Sequence, residues 1–407
     1  MNMEKVKSAS ASLSSTLPSL PNPSQYLNLY SNFILSNSTS VSSIESALRS
    51  LTYLLPGRYS ESELLSESLH SSIQLLSLYH DTLLSRALAR LPAQLRPNPT
   101  PHTRYTRYWT SHSPSYQRLA RLLQVTQYTE LLIEMAAKRR AGERGRWRAV
   151  LLIEAIKAIC RLLLLRITQQ RPLVEPPLPE REDVDPSLLE KAASDMPDLE
   201  TFSVSDEDAV AENEPEYTKP YPMPRTSLLL PPLPATPTAA SLTHYLLTHV
   251  LTPTDILPPP SLLARLSSFP AYSAEVLHIM RPLIYALALA HYSQKAGKNG
   301  KRDWRPWLLG VGLELLARQV ARRERAGDTA WGRGIGMTGL EKEEIRRRGW
   351  GMTWWAVRGA CYENVTRNWL ESVTGRLKGK FAVDLLGGIL EDYGHLWGDY
   401  YFSTATM

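Results

Sequence analysis

Apolar residues recur at helical spacing along most of this chain, and runs of alternating β-branched residues are scarce. Leu65, Leu69, Ile73 and Leu76 fall on one stripe that continues through Leu83 and Leu88, which predicts one long helix over 60–90. Three pairs read as capping boxes that open helices: Ser42 with Glu45, Ser60 with Glu63, and Thr338 with Glu341. Ser113-Pro114 places a cap ahead of a proline at the first helical position, where the missing N–H costs nothing. The pattern predicts helices near 24–36, 42–55, 60–90, 114–140, 143–171, 241–252, 271–294, 304–326, 338–378 and 380–402. The fold class is all-α, a multi-helix bundle.

Two stretches break the pattern. Residues 91–112 carry Pro92, Pro97, Pro99 and Pro101, with Arg104 and Arg107 among aromatics, and read as a loop. Residues 172–240 are rich in proline and acidic groups and poor in aromatics. Such a stretch buries too little apolar surface to offset the entropy of ordering, so it is expected to be a disordered linker. The predicted organisation is a disordered tail over 1–23, a helical half over 24–171, the linker over 172–240, and a second helical half over 241–403. No internal repeat of fixed period is evident.

Charge sharpens this picture. The 407 residues carry a formal net charge of +6. Residues 175–216 hold fifteen acidic side chains against Arg181 and Lys191, a local charge of −13 that leaves +19 on the rest. A body this basic attracts anionic partners such as lipid headgroups, nucleic acid or acidic protein segments. The two cysteines, Cys160 and Cys361, exclude a disulfide framework and a cysteine-based zinc cluster and fit domains facing a reducing compartment. The first twenty residues lack the apolar core of a secretory signal, and the last five are not a Ser-Lys-Leu type of address.

The strongest membrane candidate is 149–165, AVLLIEAIKAICRLLLL. Each central charge costs roughly 2.5–3.5 kcal/mol on insertion, whereas each Leu, Ile or Val returns about 0.3–0.6. Ten such apolar residues do not offset Glu154, Lys157 and Arg161, so the segment is not expected to insert alone. Those three charges nevertheless fall within an arc of about 60° at helical spacing, and Glu154 can pair with Lys157 one turn on. A narrow polar stripe on an apolar helix suits a helix whose stripe faces protein and whose remainder faces lipid. The same stripe also suits a solvated seam on a soluble bundle. A basic flank, Lys138 to Arg148 with Arg146 and Trp147, precedes the segment. A second apolar region, 277–292, leads to Trp304, Arg305 and Trp307 and then to a basic stretch, Arg318 to Arg348. Trp beside Arg next to an apolar run is typical of a membrane interface. If the chain crosses a bilayer, the positive-inside rule places both basic flanks in the cytosol and the acidic linker in the lumen.

Catalytic and ligand motifs are weak. Gly334-Ile-Gly336-Met-Thr-Gly339 matches the dinucleotide fingerprint only formally, since no strand precedes it. Neither a Walker loop nor a Gly-x-Ser-x-Gly elbow is present. His244 and His249 do not share a helix face, and Glu130 with Glu134 lacks an accompanying ExxH, so neither metal pair is supported; the two glutamates read as a solvated or salt-bridged face. The basic runs Arg322-Arg323-Glu324-Arg325 and Arg346-Arg347-Arg348 lack a nucleic-acid-binding motif, and no nucleic-acid partner is expected. The reading is a protein without catalytic, cofactor or metal site.

Four segments in order resemble the peroxin-sixteen family of peroxisomal membrane-assembly proteins. They are Leu51 to Tyr59 with Ser62 to Leu69, then Leu75, Leu76 and Asp81; Glu130 to Lys138 with Gly145-Arg146-Trp147 and the Leu-rich helix to Leu165; Leu277 to Leu283, including Arg281 and Pro282; and Trp304 to Leu309. The aromatic stretch Trp397 to Ser403 is similar in character. The resemblance implies a peroxisomal membrane protein, some members also visiting the endoplasmic reticulum membrane, that recruits other membrane proteins. The implied partners are membrane lipid, the docking factor peroxin three and the import chaperone peroxin nineteen. It also implies a basic targeting cluster after the first long helix, filled here by Arg86 and Arg90. The leading expectation is a membrane-bound scaffold or receptor in peroxisome biogenesis. The competing expectations are a soluble helical adaptor that binds an acidic protein or an anionic membrane surface, and a lipid-handling enzyme with a site diffuse in sequence.

Overall fold

The computed structural model describes residues 30–31, 33–34, 37–54, 63–90, 99–181, 221–222, 229–230, 257–296, 303–327, 337–357, 359–366, 369 and 400–402. Its helices are α1 (Ser38–Leu54), α2 (Glu63–Arg90), α3 (Pro101–His112), α4 (Pro114–Ile167), α5 (Phe269–Ala296), α6 (Trp304–Gly327) and α7 (Gly339–Ala356). A 3-10 turn, Pro259–Leu262, precedes α5, and a π turn, Tyr362–Thr366, follows α7. The remaining paired element is a two-residue antiparallel contact of Tyr221–Pro222 with Leu229–Leu230. The fold class is all-α, as the hydrophobic periodicity requires.

Helix α4 comprises two helical arms that meet at one non-helical residue, Gly142, at φ 64° and ψ −162°. Lys157 reaches Glu130 at 2.8 Å. On one straight helix, 27 residues of rise would separate them by about 40 Å, so the chain doubles back at Gly142. The left-handed φ there is one that glycine adopts without a Cβ penalty. The two arms, 114–141 and 143–167, form the helical pair predicted over 114–140 and 143–171.

The other helices lie alongside the second arm. Trp147 Nε1 donates to Ser293 Oγ at 3.3 Å, and Leu173 N donates to Glu275 at 3.0 Å, so α5 runs antiparallel to it. His278 pairs with Glu314, and Ser268 donates to Glu324, so α6 returns antiparallel to α5. α7 packs on both: Arg348 bonds Glu275, and Trp307 Nε1 donates to the Ala356 carbonyl at 2.9 Å. The approach of α6 to α7 requires Gly310, where a Cβ would sit 2.3 Å from the Trp355 ring. One apolar core joins Tyr105, Trp109 and Tyr116 with Leu164 and Leu165 of α4, and with Leu262, Leu263, Ile279 and Leu340 from the second half of the chain.

Several elements differ from expectation. The loop expected over 91–112 ends in α3, opened by Thr100, whose side chain accepts from Thr103 N, with Pro101 in the first turn. Residues 172–181, expected within the linker, are packed: Leu173 and Val174 join the core, and Tyr116 Oη donates to the Pro177 carbonyl at 2.9 Å. Residues 182–220 and the expected helix over 241–252 lie outside the described residues. α1 begins at Ser38, a turn ahead of the expected Ser42 box, and Glu45 is buried against His80 instead. The Thr338–Glu341 capping box forms as expected. α7 stops at Ala356, ahead of a left-handed Gly359 (φ 59°). Of the expected terminal helix, residues 400–402 are described and are not α-helical.

The α2 stripe also turns out differently. Leu65, Leu69 and Leu76 are exposed, while Ile73, Ser77, His80, Leu84 and Leu88 face inward. Polar partners on α1 draw this face in: Ser77 donates to Glu45 at 2.9 Å, and His80 binds the other oxygen of the same carboxylate.

Candidate functional site

The polarity of the bundle is inverted along α4. Glu130, Glu134, Glu154 and Lys157 are 1%, 0%, 2% and 5% exposed, while Leu152 and Ile159 on the other face are 61% and 57% exposed. Lys157 Nζ sits between two carboxylates, 2.8 Å from Glu130 and 2.9 Å from Glu154. One cation between two anions leaves the cluster at −1. Burial therefore pushes the Glu130 carboxyl up to about 7, against the pull of Lys157. Glu134, one turn along, is raised by burial as well, opposed by two backbone N–H groups, those of Tyr401 and Phe402.

A second ionic node joins α5 and α6. The Glu314 carboxylate meets His278 at 2.8 Å, Arg318 at 2.9 Å and Arg281 at 3.3 Å. Burial opposes its ionisation, but the hydrogen bond from His278 and the nearby cations outweigh it and hold the carboxyl at about 2. A third node ties α7 to α5: both Glu275 oxygens accept from Arg348 at 2.8 Å, and Glu344 accepts at 3.1 Å. Burial again opposes Glu275 ionisation and Arg348 prevails, holding that carboxyl at about 2. A fourth node clamps the chain beyond α4 to the N-terminal helices, because Arg181 bridges Asp81 at 2.5 Å and Glu45 at 3.2 Å.

Outside, apolar side chains dominate the faces that water would reach. Leu122 and Ile133 are exposed on the first arm of α4, Leu163 on the second, Leu308, Leu309, Leu315 and Leu316 on α6, and Trp350 and Trp354 on α7. Exposed arginines bound these faces along each helix: Arg118 with Arg139 and Arg140, Arg148 with Arg166, and Arg305 with Arg322 and Arg323.

The predicted site residues divide between these two environments. Glu154 and Lys157 of the polar stripe are turned toward protein: Lys157 reaches Glu130 on the first arm of their own hairpin at 2.8 Å and lies 4.8 Å from the Phe402 ring. The stripe's third member, Arg161, reaches Glu175 at 2.6 Å. Trp304 and Arg305 are exposed, whereas Trp307 is partly buried and donates to the Ala356 carbonyl. Arg146 and Trp147 were expected at an interface and are instead buried; the guanidinium lies 4.7 Å from the indole and 3.0 Å from Glu143. The hairpin turn folds them inward. Glu130 and Glu134 are interior and salt-bridged, to Lys157 at 2.8 Å and to Arg146 at 4.0 Å, and not solvated. Among the described residues no group of three His, Cys, Asp or Glu is arranged to hold a metal ion.

Comparison with known proteins decides the family. Residues 28–399 match the family described as Peroxisomal membrane protein (Pex16). The chain belongs to this family. A Schizosaccharomyces pombe relative, Peroxisomal membrane protein PEX16, is 25% identical over 81% of this chain and 84% of its own length. An Arabidopsis thaliana relative, Peroxisome biogenesis protein 16, is 24% identical over 71% of this chain and 76% of its own. No solved structure matches. Within this Pex16-family chain, Arg281 belongs to the Glu314 node and lies 5.2 Å from the Trp355 ring. Pro282 sits inside α5, and its carbonyl accepts from Tyr401 Oη at 3.3 Å. Arg86 is exposed on α2, and the Arg90 side chain lies outside the described residues.

Proposed function

We propose that this Pex16-family chain is a non-catalytic scaffold of peroxisome membrane biogenesis. It recruits other membrane proteins, peroxin three and peroxin nineteen among them, at the peroxisomal membrane and at the endoplasmic reticulum membrane. The observation that carries the membrane part is the inverted polarity: ion pairs inside, leucine and isoleucine outside. Water would disfavour that exterior, since large contiguous apolar faces mark interaction or membrane surfaces.

The bundle is seated in one leaflet, with α4 and α6 lying along the membrane. On the second arm of α4 the outward apolar run from Leu152 to Leu163 is only about 17 Å long, against a hydrocarbon core of about 30 Å. The two basic flanks also lie at opposite ends of α5. Lys138–Arg148 adjoins Ser293 through Trp147, whereas Glu324 and Arg348, both in the basic stretch Arg318 to Arg348, adjoin Ser268 and Glu275. A spanning arrangement would carry one flank across the membrane against the positive-inside rule; an in-plane seat leaves both on anionic headgroups. The segment Phe269–Ser293 is long and apolar enough to cross. Its charged Glu275 and Arg281 are committed to protein partners on α7 and α6.

The test has two arms. Leu152→Glu with Ile159→Glu in the full chain should move the protein from the membrane pellet to a soluble, monodisperse form. Retention on the membrane would overturn the lipid-facing assignment. A tag within 182–220 should be cut by protease added outside intact organelles. Protection would establish the spanning arrangement in place of the one-leaflet seat.

A further inference from the structure

The inner end of the α4 hairpin contains a notch whose occupant is a short peptide. Its floor is Glu134, fully buried, on the first arm. Its walls are Val150 and Ile153 on the second arm and the small side chains of Ala286 and Ala290 on α5. Two alanines one turn apart leave the width of an aromatic ring between α5 and α4. Phe402 fills that width and is 0% exposed.

The polar contacts are those of recognition as well as packing. Glu134 Oε1 accepts from Tyr401 N at 2.8 Å, and Oε2 accepts from Phe402 N at 2.8 Å. One carboxylate thus reads two consecutive backbone N–H groups, a demand that a short non-helical peptide meets and a helix interior does not. Lys157 lies 4.8 Å from the Phe402 ring and Lys138 4.4 Å from the Tyr400 ring, both at cation–π distance. The Tyr401 ring lies tilted at 36° to that of Tyr285, with centroids 6.2 Å apart, and its hydroxyl reaches the Pro282 carbonyl. Every residue of the Tyr400–Phe402 tripeptide therefore has its own receptor on the bundle.

We propose that this notch is a peptide-recognition site for a Tyr-Tyr-Phe sequence, occupied in cis by the chain's own residues 400–402. Recognition rests on the Glu134 carboxylate and on the ring pocket formed by Val150, Ile153, Ala286 and Ala290. It is independent of how the bundle is seated in the membrane. A site built this way also accepts the same sequence from solution once the cis occupant is weakened.

Phe402→Pro in the full-length chain removes the ring and one of the two N–H groups together. In detergent, a fluorescein-labelled peptide spanning residues 398–404 should bind this variant and not the unaltered chain, and a scrambled peptide should bind neither. Adding Glu134→Ala should weaken that binding by about tenfold to a hundredfold, the loss expected for hydrogen bonds to a charged acceptor. Failure of the peptide to bind, or binding insensitive to Glu134→Ala, overturns the proposal. Hydrogen exchange on the otherwise unaltered chain covers the case in which Phe402→Pro does not fold. The Tyr401 and Phe402 amides should be protected and should lose that protection in Glu134→Ala. Fast exchange of both amides in the unaltered chain would refute the site.

Discussion

The Glu130–Lys157–Glu154 cluster makes a prediction in which two neutralising substitutions act in opposite directions. Lys157→Met leaves two carboxylates facing each other without a cation, at positions that are 1% and 2% exposed. Breaking a buried pair from one side costs about 3–5 kcal/mol. Glu130→Gln instead leaves a neutral Glu154–Lys157 pair and removes the carboxyl that burial holds at about 7. The ordinary value is 4.5, so as pH rises the unfolded chain releases this proton first. The contribution of this one group to the stability of the unaltered protein is then full below about pH 4.5, declines between about 4.5 and 7, and is level above that. The decline is worth roughly 3 kcal/mol at 1.36 kcal/mol per unit. Glu130→Gln should remove it, raising the melting midpoint at pH 8 and leaving it little changed at pH 5. Lys157→Met should lower the midpoint at pH 8, and less so at pH 5, where Glu130 is protonated. Thermal unfolding in detergent, followed by circular dichroism at the two pH values, reads both effects. Equal destabilisation by the two variants, or none by Lys157→Met, would refute the account of a single cation between two buried anions.

Other consequences are open to simpler measurements. Arg348→Met should cost about 3–5 kcal/mol by orphaning Glu275 and Glu344, read as faster limited proteolysis between α6 and α7. Glu275 and Glu314 are both held at about 2. Their stabilisation is complete above the ordinary 4.5 and should be lost as pH falls from there toward 2, giving an acid-unfolding limb that Glu314→Gln shortens. Deletion of 182–220 should leave the melting midpoint unchanged, whereas extending the deletion back to 172 should lower it, because Leu173, Val174 and Arg181 are anchored in the body.

Helix periodicity made the bundle legible in outline, and where it misled, a specific competing interaction is responsible. Pro101 was read as a loop residue with its neighbours, although Thr100-Pro101 carries the same cap-and-proline signal as Ser113-Pro114. The density of prolines before it obscured a helix start. On α2 the stripe's Leu65, Leu69 and Leu76 mark the outer face, because the buried His80 and Ser77, with a carboxylate partner on another helix, outcompete leucine for the interior. Periodicity reports that a helix is two-faced, not which face is inside when the surroundings are lipid. The polar stripe at Glu154 and Lys157 was visible from spacing alone. Its partner was not, since pairing Glu130 with Lys157 depends on a reversal at one glycine. The segment beyond α4 was hidden by composition: Leu173 and Val174 begin a stretch whose average is acidic and proline-rich, and an average conceals its first ten residues.

The reversal at Gly142 has a bearing on how the protein reaches its membrane. On the proposed seat, neither arm of the hairpin can be presented to lipid alone, because each exposes charged side chains along the face that its twin covers. The arms must zip together first, in water or at the surface, and only the paired unit has an exterior that hydrocarbon accepts. Since the turn brings both open ends to the same side, the unit can enter from one face without threading polar chain through the bilayer. On the proposed one-leaflet seat, membrane entry by this hairpin is a docking event of a prefolded body, and its rate should follow the stability of the pair and not the hydrophobicity of either arm.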